Sequence, residues 1–195
     1  MICDKDDVLI LINPKTPLIY PESKNLNIKK MIIYEDVLRE FHERGVKYLI
    51  VGGIAVNLLG SLRSTADLDI IVELSDRNIE KIIGILKNNG YYVKQPVNPM
   101  ELAVKETRDD WIKNKNLKAF NFYKKEGLEE VDIIIESPLS FEKAMETAVL
   151  IKVDDITLPV ISAENLIEMK KHAGRAVDKL DIEELKKIKK LMNKK

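Results

Sequence analysis

Cysteine and histidine are nearly missing from this chain: one cysteine, Cys3, and two histidines, His42 and His172, in 195 residues. A lone cysteine forms no internal disulfide, so a stapled secreted scaffold is excluded and a reducing compartment is expected. With so few soft ligands, no Cys/His zinc cluster can be assembled. Net charge is missing as well. Lys+Arg and Asp+Glu both number 32, which argues against a broadly basic surface that coats nucleic acid while leaving a local basic groove open. Apolar runs such as Val8 to Ile12 and Tyr48 to Val51 are far too short to span a bilayer, and no charged-then-apolar export signal opens the sequence. A cytoplasmic location with no membrane partner is the expectation. What is present, 45% hydrophobic and 33% charged residues, suits a globular chain able to bury a real core.

The apolar pattern divides the chain into three parts. Residues 1–30 form an N-terminal arm of uncertain role, with a buried strand at Val8–Ile12 and the following segment broken into turns by Pro14, Pro17 and Pro21. Residues 31–160 alternate helical and extended patterns. Ile33, Val37, Leu38 and Phe41 predict a helix that ends near Gly45, and Val46–Val51 predicts a strand. A short helix follows over Ile54–Leu59, then a strand over Asp67–Val72. Ser75 is placed to cap a helix whose buried stripe is Ile79, Ile82, Ile83 and Leu86. Lys94–Pro99 reads as loop, and Ala119–Tyr123 with Glu130–Ile135 as a hairpin. A helix at Phe141–Ala148 and a strand pair at Leu150–Val153 and Thr157–Val160 complete this part. Residues 161–195 predict two helices, Ala163–Ala173 and Val177–Met192, as a C-terminal segment packed on the rest. The fold class expected is α+β, a mixed β-sheet flanked by helices with a C-terminal helical extension.

Chemistry enters where acids interrupt apolar strands. Asp67 and Asp69 lie two residues apart in Asp67-Leu68-Asp69-Ile70-Ile71-Val72, so in a strand they share one face, roughly 7 Å apart along the backbone. Two such carboxylates cost free energy unless something neutralises them. Asp132 breaks a second β-branched run, Val131-Asp132-Ile133-Ile134-Ile135. Three strand-borne acids match two-metal phosphoryl chemistry, in which a shared carboxylate bridges ions about 3.5–4 Å apart. Magnesium, for which manganese may substitute, prefers oxygen ligands and keeps several waters, so few carboxylates suffice. Upstream, Gly52-Gly53 ends an apolar strand; glycine there lets backbone N–H groups approach a phosphate at a helix start. In the lead-in Arg63-Ser64-Thr65, Arg63 is suited to fork onto a phosphate, and the hydroxyls to donate to it or orient Asp67.

Together Gly52-Gly53, the spacer, Asp67-Leu68-Asp69-Ile70 and the later Asp132 resemble the nucleotidyltransferase superfamily, with its DNA polymerase beta-like catalytic fold. The Arg63-Ser64-Thr65 lead-in and the late segment Ser162–Lys170, continuing to Gly174-Arg175 and Asp178–Asp181, are similar to small stand-alone bacterial and archaeal members, many of which belong to toxin–antitoxin or phage-defence systems. The resemblance runs from about Tyr34 to about Leu185. It implies a magnesium-dependent transfer of an NMP from an NTP to an acceptor hydroxyl, with pyrophosphate released. Asp67, Asp69 and Asp132 would be the catalytic and metal-binding residues. Gly52, Gly53, Arg63, Ser64, Thr65 and Lys170 would bind the nucleotide, and Asp132 would help activate the acceptor.

The acceptor is left open among an RNA 3′ end such as tRNA, a protein side chain and a small-molecule alcohol, as is the presence of a cognate toxin or antitoxin partner. The alternative is a catalytically silent nucleotide-binding or antitoxin-type interaction module on the same fold. Arg175 and Asp178 are also spaced for an ordinary i,i+3 ion pair. Trp111, Phe120, Phe122 and Tyr123 read as core rather than as a base-stacking platform.

Overall fold

The computed structural model describes residues 9–12, 17–19, 34–61, 64–153 and 155–192. Among these, nine strands join in one mixed sheet. They are β1 (Leu9–Ile12), β2 (Pro17–Ile19), β3 (Tyr48–Ile50), β4 (Leu68–Val72), β5 (Tyr91–Val93), β6 (Ala119–Lys124), β7 (Glu130–Ile134), β8 (Val149–Val153) and β9 (Ile156–Val160). Their order across the sheet is β2-β1-β8-β9-β3-β4-β7-β6-β5. Two adjacent pairs are parallel, β9 with β3 and β4 with β7; the others are antiparallel. Two strands of the N-terminal arm thus extend the sheet, β1 pairing with β8. The sheet is mixed and flanked by helices, as the sequence led one to expect.

The helices are α1 (Glu35–Glu43), α2 (Gly52–Leu58), α3 (Asp76–Asn88), α4 (Lys105–Lys115), α5 (Phe141–Glu146), α6 (Ala163–Ala173) and α7 (Ala176–Met192), with a 3-10 turn at Pro99–Ala103. In α3 the stripe Ile79, Ile82, Ile83 and Leu86 is fully buried, each side chain stabilising by about 2 kcal/mol on removal from water. Ser75 occupies the N-cap of α3 by backbone conformation, but its hydroxyl donates to the Glu73 carboxylate rather than accepting from the helix. Asn78 instead ties the neighbourhood together, accepting from the Lys47 N–H and donating to the Lys47 and Glu73 carbonyls.

α4 arises where the sequence showed only charge. It buries Trp111, stacked on Phe120 at 5.6 Å between ring centroids, with Ile112 packed partly buried beside the core. The buried Arg108 guanidinium donates to the carbonyls of Leu102, Ala103 and Leu74, replacing apolar anchoring with hydrogen bonds. Trp111, Phe120 and Phe122 are therefore core, as expected, while Tyr123, expected with them, is only half-buried.

Burial alternates along the central strands. Val131, Ile133, Phe120 and Phe122 are buried on one face. Asp132, Ile134, Asn121 and Tyr123 are only half-buried on the other. That more open face of β4, β7 and β6 is where the acids project.

Candidate active site

β4 and β7 run parallel in a register that pairs Asp69 directly with Asp132. Residues 63 positions apart in sequence are thereby set side by side on adjacent strands, which brings their carboxylates to one spot. Asp67 lies immediately before β4, which begins at Leu68, and is exposed. The expected strand start at Asp67 is thus one residue early, and Asp67 forms the outer lip of the acidic group.

A tyrosine from the start of α1 fastens this arrangement. The buried Tyr34 hydroxyl lies against the Ala66 carbonyl and 2.8 Å from the Glu130 carbonyl, and accepts from the Glu130 N–H at 3.0 Å. It therefore clamps the lead-in to Asp67 against the start of β7. Burial pushes its phenol up to about 12, so it stays a neutral donor.

The glycine pair is explained by what rests on it. Gly52 has φ +66°, a conformation that favours glycine. A Cβ there would lie 1.8 Å from the Asp69 Oδ2. A Cβ on Gly53 would lie 2.6 Å from the Thr65 Oγ1, and the Gly53 N–H hydrogen-bonds to Asp69. The pair makes room for Asp69 and Thr65, a closer role than the phosphate approach expected from the sequence. Ser64 is exposed beside it; Arg63 lies outside the described residues.

The electrostatics show an incompletely neutralised group. Burial pushes the Asp69 carboxyl up to about 6; the charges of Asp132 and Asp67 add to this, and Arg175 and the Gly53 N–H offset it in part. Asp132 is also raised, first by burial and then by Asp67 and Glu130, against a hydrogen bond from Asn121 and the charge of Lys94. The Asp132 Oδ1 is buried and takes no hydrogen bond among the described residues. Mutually repelling carboxylates with an unused oxygen are what a hard cation relieves. Among the described residues, no three His, Cys, Asp or Glu side chains form a ready-made ligand set. The pair Asp69/Asp132 with Asp67 at the lip fits a cation that retains several waters.

Lys170 is placed differently from the nucleotide role that the resemblance implied. It is 3% exposed, and its Nζ is 2.7 Å from Asp181 and 3.3 Å from Asp178. Asp178 also receives a fork from Arg175, Nε at 2.9 Å and Nη2 at 3.2 Å, together with the Arg175 backbone N–H. Gly174, at φ +67°, ends α6 and turns the chain into Arg175. The cation whose field reaches Asp69 is therefore Arg175, held by the buried Asp178.

Sequence reasoning passed over Tyr34, Lys94, Gln95 and Asn121. Asn121 had a readable signal: counting back from the β6–β7 turn pairs it with Asp132. Tyr34 and Gln95 had none, because their partners are backbone groups or lie on distant segments.

A parallel Asp–Asp pair beside a glycine turn on a mixed sheet gathers carboxylates where a hard cation is stabilised. The family model for aminoglycoside-2''-adenylyltransferase matches residues 34–188. The chain belongs to that family and is a nucleotidyltransferase. Solved structures with the same fold include the lincosamide antibiotic adenylyltransferase LnuA bound to lincomycin, at 20% identity and TM-score 0.51, over 82% of this chain and 96% of that one. Another is ANT(2'')-Ia in complex with adenylyl-2''-tobramycin, at 15% identity and TM-score 0.51, over 84% and 94%. No curated protein matches the chain. Among the described residues, no helix is long and apolar enough to cross a membrane.

Proposed function

We propose that the chain transfers AMP from ATP to a hydroxyl of a small hydroxylated molecule of the antibiotic class, releasing pyrophosphate. The observation that carries it is the in-register Asp69–Asp132 pair, whose carboxylates stay incompletely neutralised on the open face of the sheet. Asp67, Asp69 and Asp132 would hold magnesium, with manganese as a substitute. The metal supplies charge neutralisation on the phosphates and lowers the pKa of the acceptor hydroxyl.

This chain's own residues do the positioning. Gly52 and Gly53 let Asp69 sit tight against the turn, with Thr65 and Ser64 bordering the same space for the nucleotide's phosphates. Arg175 brings positive charge toward the departing pyrophosphate, and Arg63 is the remaining phosphate candidate. Lys170 would act on the nucleotide through Asp178 and Arg175. Asp132, as a ligand of the cation, would help activate the acceptor hydroxyl. Phosphoryl transfer asks the protein mainly to position groups and stabilise charge.

The acceptor class is supported by family membership, and the fold neighbours are an enzyme bound to lincomycin and one in complex with an adenylylated tobramycin. An RNA 3′ end or a protein side chain in a toxin–antitoxin or defence setting is the competing acceptor class. Incubation with α-labelled ATP, magnesium and separate panels of lincosamides, aminoglycosides, RNA and lysate protein decides between them. Label on an antibiotic hydroxyl, lost by at least about a thousandfold in Asp69→Asn, is the expected result. Label confined to RNA or protein would reject the small-molecule acceptor, and undiminished transfer by Asp69→Asn would reject the site.

A further inference from the structure

Asp132 keeps its Oδ1 buried and without a hydrogen bond among the described residues. Asn121 stands directly opposite it on β6, and its amide holds the Asp132 carboxyl down against the effect of burial. An amide has a donor end and an acceptor end, so the contact attracts only if Asn121 presents its Nδ2. That orientation is fixed from the far side by Gln95, in the turn after β5. Gln95 Oε1 accepts the backbone N–H of Asn121 at 3.2 Å, and its Nε2 donates to the Asn121 Oδ1 at 2.7 Å.

A backbone N–H only donates, so it dictates which end of Gln95 faces it. Gln95 then dictates which end of Asn121 faces Asp132. The turn itself is stitched to β6 by the Lys94 N–H on the Asn121 carbonyl at 2.9 Å and by Gln95 Nε2 at 3.4 Å from the Ala119 carbonyl. The polarity of the relay is thus read out from the main chain, two side chains away from the carboxylate.

We propose that Gln95 and Asn121 are positioning residues for nucleotidyl transfer, an amide relay that orients the Asp132 carboxylate toward the nucleotide-bound cation. This rests on the assignment of Asp132 to the site. The chemistry explains why both members are amides. A lysine at either position would compete with the cation for the carboxylate. A glutamate at 95 accepts only, so it would turn Asn121 around and aim its oxygen at Asp132. Gln95 is the one glutamine in a chain otherwise rich in lysine and glutamate, and that composition fits a position where neither ion works.

The test is Mn²⁺ binding in the presence of α,β-methylene-ATP, read from the free Mn²⁺ signal by electron paramagnetic resonance, so that no acceptor or turnover is needed. The variants are Asn121→Ala, Gln95→Ala, their double, Gln95→Glu and Asp132→Asn, each shown folded by circular dichroism. Asn121→Ala and Gln95→Ala are each expected to weaken binding about tenfold, in the range for groups that orient a metal ligand. The double variant should be no weaker than Asn121→Ala, because Gln95 acts through Asn121. Gln95→Glu, nearly isosteric, should be at least as weak as Asn121→Ala. Wild-type binding by Gln95→Glu, or losses that simply add in the double variant, would overturn the relay. If Asp132→Asn alone loses binding while the amide variants keep it, the relay fails and the site stands. If Asp132→Asn also binds like wild type, both fall.

Discussion

Two groups of aspartates are gathered by this fold, and they are neutralised to opposite extents. Between α6 and α7, burial would push Asp178 up, but the fork and backbone N–H of Arg175 and the ammonium of Lys170 outweigh it, and its carboxyl lies below the ordinary range. Between β4 and β7, burial and the neighbouring acids outweigh Arg175 and the Gly53 N–H, and Asp69 is raised to about 6. The first group is complete within the chain. The second is held at a cost by the rest of the structure, which is the usual condition of a site that awaits a charged ligand. Arg175 is forked onto Asp178 and lends its field to Asp69, so the finished cluster serves as the mount for a cation that bears on the unfinished one.

The sharpest way to break this contrast is Lys170→Met. If the α6–α7 cluster is a self-contained ion network, removing its ammonium strands buried carboxylates and should cost about 3–5 kcal/mol of stability, read as a large drop in melting temperature. Nucleotide affinity of the folded fraction at low temperature should fall far less. A variant that melts like wild type but binds ATP poorly would instead restore Lys170 to direct contact with the nucleotide.

Asp69→Asn should move stability the other way. Because the folded-state carboxyl is raised to about 6 above an ordinary value near 3.9, the native state binds its proton more tightly than the unfolded chain does. Wild type therefore carries a penalty at pH 8 that is relieved as pH falls from about 6 to below 4. Asn carries no such penalty. In EDTA, Asp69→Asn should be more stable than wild type by up to about 3 kcal/mol at pH 8, and the gap should close at pH 4. Asp178, being depressed, behaves oppositely, losing its contribution as pH falls through its folded value. An Asp69→Asn protein no more stable than wild type at pH 8 would mean that the pair is already neutralised within the chain.

The acids and glycines of the centre were legible because each violates its surroundings: carboxylates inside β-branched runs, and a glycine pair at a strand end. The helices with a 3.6-residue apolar stripe, such as α3, were legible for the same reason. α4 was not, since it meets the core through Trp111 and hydrogen-bonded Arg108 rather than through a stripe. β5, three residues long, carries too little pattern to separate it from the loop that follows. Ser75 stands where a cap was expected but gives its hydroxyl to Glu73, a choice between two nearby partners that sequence does not rank. Lys170 shows the limit of carrying a role over by resemblance. Its position in the late segment matched, yet the direction of its side chain depends on Asp178 and Asp181 on the next helix, and only packing reveals that they claim it.

The smallest expected effect isolates geometry from charge. Tyr34→Phe removes no ion, yet it deletes the hydroxyl that joins Ala66 to Glu130 and leaves the Glu130 N–H without that acceptor. The loss should be about 1–2 kcal/mol, a modest drop in melting temperature. At the α6–α7 cluster a neutral change of this size would matter little, because opposite charges find one another. At β4–β7 like charges repel, so their spacing depends on the backbone that carries them, and the clamp lies one residue before Asp67 and two before Asp132. Transfer should therefore slow several-fold in Tyr34→Phe even at temperatures where the protein is fully folded. A rate equal to wild type under those conditions would show that β4 and β7 keep the acids in register without the tyrosine.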